Sequence, residues 1–171
     1  MQRNDIAHAV FQSSEIGMET SVTSPKNTTS LRVAGFELPE QLRLLIGIGV
    51  WPARVHPDCV KLFAPDEGRL DLRAPEHFTT VASDLNHGGG LTTARWAVRD
   101  IDPERTLIIA DFELGSDTMV ALDYRHNASE LAVIRLVWGD RGTPNRWVQI
   151  APTFDEFWAM IELRSLPDSR R

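Results

Sequence analysis

Four carboxylates fall within residues 111–123: Asp111, Glu113, Asp117 and Asp123. Acidic side chains this close together can hold a hard cation or share acid–base work. Their spacing does not complete a calcium loop. A loop starting at Asp111 puts Ser116 at the sixth position, where glycine is needed. It puts Leu122 at the twelfth, where a bidentate glutamate is needed. A metal-dependent enzyme built on Asp111, Asp117 and Asp123 is one reading. The other is structural. Gly115, Ser116 and Asp117 form a turn, with Asp111 and Asp117 satisfying turn amides. Asp123 then projects from a strand toward a basic side chain, Arg125 or Arg135. The structural reading is the one adopted.

The remaining reactive residue types form no set. Ser116 lies in Leu-Gly-Ser-Asp-Thr, which is not the G-x-S-x-G elbow, and a strand follows it where the elbow needs a helix. His8, His56, His77, His87 and His126 have no paired ligand spacing, so no metal site is expected. Gly88–Gly90 lacks the Lys and Ser/Thr of a phosphate-binding loop, and His87 before it reads as a solvated helix terminus. Cys59 is the single cysteine, which rules out an internal disulfide and fits a reducing compartment. Its neighbours Val60 and Leu62 suggest a strand and a small buried thiol. The expectation is a chain without catalytic activity, cofactor or metal.

The elements around these residues are legible in the pattern. Leu107–Phe112 is apolar except at Asp111, as suits a strand buried on both sides. Met119–Tyr124 alternates, with Val120, Leu122 and Tyr124 on one face and Met119, Ala121 and Asp123 on the other. Leu131–Trp138 and Arg146–Ile150 read as further strands, separated by a Gly- and Pro-containing loop. Thr153 and Glu156 form a capping box for a helix whose Phe154, Phe157, Trp158 and Ile161 make an apolar stripe. Upstream, a helix is expected within Phe36–Val50, a short strand over Val60–Ala64, a helix over 76–85 and a short helix over Thr92–Val98. If Val120, Leu122, Ile134, Leu136, Val148 and Ile150 meet the helices, the opposite face is free. That face would carry Met119, Ala121, Asp123, Val133, Arg135, Val137, Trp147 and Gln149. A Trp and an Arg among aliphatics suit a protein interface. The partner-binding candidates are therefore Asp123, Arg125, Arg135, Trp147 and Gln149, with Tyr124 and Asp140–Arg141 as a polar rim. A helix or the N-terminal segment lying over this face would instead make Trp147 ordinary core.

Composition bounds the function classes. A chain of 171 residues suits one domain with a single substantial core. Net charge is −6, which disfavours nucleic acid as a partner and favours a basic one. Only Lys26 and Lys61 of the 18 basic residues are lysine, a bias that suggests a GC-rich bacterial source. No signal peptide and no run near the ~20 apolar residues of a bilayer span is present, so a cytoplasmic location is expected. Residues 1–30 are polar and expected to be a flexible segment, with docking on a second copy as the alternative. The domain would occupy residues 31–171.

The stretch "IDPERTLIIADFELGSDTMVALDYR", the strand ending at Trp138 and "RWVQIAPTFDEFWAMI" together resemble the SUKH superfamily, the Smi/Knr-like proteins. "ELPEQLRLLIGIGVWP" and "APEHFTTVASDL" resemble its first and second helices, so the likeness spans roughly residues 31–163. Glu113 departs from the small residue usual before the turn. The resemblance implies an α+β domain with a mostly antiparallel sheet packed by helices. It also implies a bacterial immunity protein that binds and neutralises a cognate polymorphic toxin, a nuclease for instance. An intracellular scaffold or regulator of the same fold is the other role the resemblance carries. Neither role requires direct binding to nucleic acid or a membrane, and neither fixes the oligomeric state.

Overall fold

The computed structural model describes residues 31–87, 97–112, 118–126, 131–140 and 142–162. The polar segment 1–30, the turn Gly115-Ser116-Asp117 with Glu113, the glycines 88–90 and Arg141 lie outside the described residues.

The chain folds as α+β. A hairpin of β1 (Arg32–Val33) and β2 (Phe36–Glu37) comes first. Helices α1 (Glu40–Gly47) and α2 (Pro57–Phe63) follow. Then come β3 (Leu70–Leu72), β4 (Thr79–Thr80) and α3 (Val81–His87). The long strands β5 (Thr106–Phe112), β6 (Thr118–Asp123), β7 (Ala132–Val137) and β8 (Arg146–Ala151) precede α4 (Phe154–Glu162). The sheet runs β3-β5-β6-β7-β8, with β4 also paired to β5, and every pairing is antiparallel.

Helices cover both faces of this sheet. Against the first face, α1, α2 and α4 pack Leu42, Leu45, Cys59, Val60, Phe154, Phe157 and Trp158 onto Leu107, Phe112, Val120, Leu122 and Val133. Trp51 sits among the rings of Phe78, Phe154 and Trp158, and its Nε1 donates to the Arg73 carbonyl at 2.9 Å. Against the second face, Val81 of α3 with Ala97 and Ile101 covers Ile108, Met119, Ala121, Ile134 and Leu136. This double burial explains why β5 reads as a continuous apolar run.

Local chemistry fixes the ends. Thr153 Oγ1 accepts from Glu156 N at 3.2 Å, as its capping position requires. Ala34 and Gly35 both hold positive φ, 50° and 86°, the pattern of a tight I′ hairpin turn. At Gly139 an added Cβ would stand 1.9 Å from the Thr143 carbonyl oxygen, so the 139–145 loop closes only over glycine.

Two expected elements take another form, and a third falls mostly outside the described residues. Val60–Ala64 is not a strand: Cys59 and Val60 belong to α2, whose start is set by Pro57 and by His56 Nδ1 accepting from Asp58 N at 3.2 Å. The thiol is buried, but on a helix. The helix expected over 76–85 is divided into a 3-10 turn at Pro75–His77, β4 and α3, because Thr79 and Thr80 pair with Ile108 and Leu107. Of the helix expected over Thr92–Val98, residues 92–96 lie outside the described residues, and Val98–Asp100 is a 3-10 turn.

Candidate functional site

The face expected to be open is covered. Antiparallel partners share a face, and β6 meets β7 as Val120↔Arg135, Ala121↔Ile134 and Leu122↔Val133. Ile134 and Leu136 therefore lie with Ala121 on the second face, not with Leu122. Val133 and Arg135 lie under the helices of the first. Each strand's own alternation is as expected, and Val148 shares a face with Val120 and Trp147 with Ala121 as expected; β7 alone is shifted by one residue, which exchanges its faces.

Arg135 is a buried side chain of the first face, only 6% exposed. Its Nη2 donates to Asp66 Oδ1 at 2.7 Å, and its guanidinium lies 5.8 Å from the centroid of the Phe112 ring. Burial alone would raise the Asp66 carboxyl. The hydrogen bond and charge of Arg135 outweigh it and hold Asp66 below the usual carboxylate range. Arg135 is thus spent on the fold and does not face a partner.

Asp123 and Arg125 form a second internal pair. Asp123 is buried on the second face, opposite Thr106. Arg125 Nη2 donates to Asp123 Oδ2 at 2.7 Å, and its backbone N donates to Oδ1 at 3.0 Å. Burial pushes the Asp123 carboxyl up, but these donors win and its pKa is lowered. The Arg125 Nη1 also donates to the Asp100 carbonyl at 2.6 Å, which ties the 97–101 segment to the sheet. The expected Asp123–Arg125 contact therefore exists, but it points inward.

Asp111 makes an ion pair where a turn role was expected. Arg73 grips it through Nε at 2.6 Å and Nη2 at 2.8 Å, and reaches Asp84 of α3 at 3.8 Å. Arg73 and Arg125 thus pin the second-face cover to the sheet at two separate points. Asp111 lies opposite Met119 and Asp123 opposite Thr106, so five residues of β5, about 17 Å, separate them. The two aspartates do not converge, and among the described residues no group of three His, Cys, Asp or Glu could hold a metal ion. Asp117 lies outside the described residues.

Trp147 packs partly against the second cluster, and Gln149 is exposed on the edge strand β8. Tyr124 is buried, its ring 4.5 Å from that of Phe36, and its hydroxyl donates to the Glu37 carbonyl at 2.9 Å. Burial and the Glu37 charge raise its phenol above the ordinary value.

The exposed large apolar side chains lie elsewhere: Leu62 on α2 and Trp138 after β7 stand apart from each other in the chain, and three more fall close together. Leu44, Ile48 and Val50 are 47%, 71% and 41% exposed, while Leu42 and Leu45 of the same helix are buried. No charged residue interrupts Leu44–Val50. At the opposite end of α1 lies a cleft of about 490 Å³ lined by Glu37, Glu40, Arg43, Leu131, Phe154 and Asp155. The sequence holds a signal for this surface: Leu38, Leu42, Leu45, Ile46 and Gly49 fall at helical spacing within Phe36–Val50, and Leu44 and Ile48, four residues apart, stand outside that set. No helix among the described residues is long and apolar enough to cross a membrane. Comparison with family models, curated proteins and solved structures returned no match.

Proposed function

We propose that this chain is a non-catalytic protein-binding domain of the bacterial cytoplasm, an immunity protein that binds and neutralises a cognate toxin. The observation that carries the reading is the set of exposed apolar side chains Leu44, Ile48 and Val50, with no charged residue between them in the chain. Exposed apolar side chains gathered in one place are characteristic of interaction sites, whereas isolated ones are ordinary. The α+β architecture, an antiparallel sheet with helices packed on it, agrees with the SUKH resemblance. A net charge of −6 suits a basic partner such as a nuclease.

Binding at a helical surface would block a toxin by occupying the approach to its active site, in a one-to-one complex and with no turnover. The test is co-expression of the full chain with a toxin encoded beside it in the native host. Protection from growth arrest, lost in Ile48→Asp while the variant stays folded, is the expected result. Absence of protection by the unaltered chain would sink the immunity role. Full protection by Ile48→Asp would sink this surface.

A further inference from the structure

Glu40 and Leu44 stand at i and i+4 on one side of α1, and Ile48, the C-cap residue, follows four residues on with its backbone N donating to the Leu44 carbonyl at 3.0 Å. All three are exposed, and Val50 prolongs the apolar end. The other end of this stripe runs into the cleft, where Glu40 and Asp155 share the lining. Arg43 Nη1 stands 3.1 Å from Glu37 Oε1 and neutralises that carboxylate. Glu40 and Asp155 make no ion pair among the described residues. One continuous surface thus joins two carboxylates, each in the first turn of a helix and neither paired with a cation among the described residues, to an uncharged apolar stripe.

We propose that this surface docks a protein segment that carries basic side chains next to apolar ones. An ammonium or guanidinium group enters the cleft and meets Glu40 and Asp155. Aliphatic or aromatic groups of the same segment cover Leu44, Ile48 and Val50. The inference rests on the protein-binding reading above and adds the partner's chemistry. Charge selects among occupants. The phosphates of a nucleic acid and anionic lipid headgroups are both repelled by the two carboxylates and by the overall −6 charge. A second copy on a two-fold axis would lay the acidic end of one stripe over the apolar end of the other, burying carboxylates without partners.

The test uses the full, isotope-labelled chain and two synthetic helical peptides. One has lysine and leucine at helical spacing; the other has glutamate in place of every lysine. The lysine peptide is expected to perturb the amides of residues 40–50 and 153–155, with binding that weakens as salt rises. The glutamate peptide should bind at least tenfold more weakly. The double variant Glu40→Gln/Asp155→Asn and the single variant Ile48→Asp should each weaken the lysine peptide at least tenfold while remaining folded at the temperature of the titration. Equal binding of both peptides, perturbation confined to another surface, or no binding at millimolar peptide would overturn the proposal. Each of these leaves the toxin-neutralisation reading standing, because growth protection decides that separately. Sedimentation as a dimer that Ile48→Asp converts to monomer would assign the surface to a second copy and also overturn it.

Discussion

Arg135 in the middle of β7 and Asp66 after α2, 69 residues apart in the chain, are joined by a 2.7 Å hydrogen bond. The arginine is nearly sealed from solvent while its aspartate is half exposed. The asymmetry decides what each deletion does. Removing the guanidinium leaves a carboxylate that water can solvate. Removing the carboxylate leaves a buried cation whose Nε already lacks a partner among the described residues.

Asp66→Ala should therefore lower stability by about 2–3 kcal/mol, which urea unfolding would measure. Adding Arg135→Met, which fills the same space beside Phe112 without charge, should restore at least half of that loss. A double variant no more stable than Asp66→Ala would show that the cation is not the source of the cost.

Acid should act through the same kind of pair. Asp66 and Asp123 both have carboxyl pKa values held below the ordinary value in the folded chain. A depressed carboxylate contributes stability that is fully present above the unfolded value, about pH 4, and is lost as pH falls through the folded one. Asp123→Asn should cost about 1–2 kcal/mol at pH 7, a figure reduced because Arg125 is partly exposed. The gap from the unaltered protein should close steadily below pH 4. A gap independent of pH in denaturant titrations would remove the ion pair from the explanation.

The long strands and α4 were legible because their burial is written in local pattern: Leu107–Phe112, Met119–Tyr124 and the Phe154–Ile161 stripe. Which face of β7 meets which face of β6 was not. Val133, Ile134 and Leu136 are all apolar because both faces of the sheet are covered, so their types give no vote on register. The candidate site inherited that slip and drew in Arg135, which belongs to the first-face interior. Asp123–Arg125 was readable because the residues are neighbours. Asp111–Arg73 and Arg135–Asp66 were not, since their partners come from elements joined only by the folded sheet. β3 and the β1–β2 hairpin are too short to carry a period.

The hairpin turn offers a gain in stability. Ala34 holds φ 50° on the protein surface, a left-handed conformation that crowds its Cβ against the following carbonyl. Asn tolerates this region and with Gly35 makes the preferred I′ pair. Ala34→Asn should therefore raise stability by about 0.5–1 kcal/mol, seen as a higher thermal midpoint. The same substitution should slow amide exchange in β1 and β2. A lower midpoint would mean that the turn is held by something other than its own backbone.

The sharpest contrast lies within one turn of α1. Leu42 is wholly buried against α4 and the sheet, whereas Leu44, two residues on, is half exposed. Leu42→Ala removes packed methyls and leaves a cavity, so it should cost about 2–5 kcal/mol. Leu44→Ala removes a side chain that the fold scarcely uses, so stability should change by less than about 0.5 kcal/mol. A partner complex should respond in the opposite order once correction is made for unfolded protein: Leu44→Ala weakens it, and any folded Leu42→Ala binds normally. Measured unfolding of both variants, paired with growth protection by each, separates a residue kept for the core from one kept for another molecule. If Leu44→Ala proves as destabilising as Leu42→Ala, the side chain belongs to the packing and the helical stripe loses its claim as a docking surface.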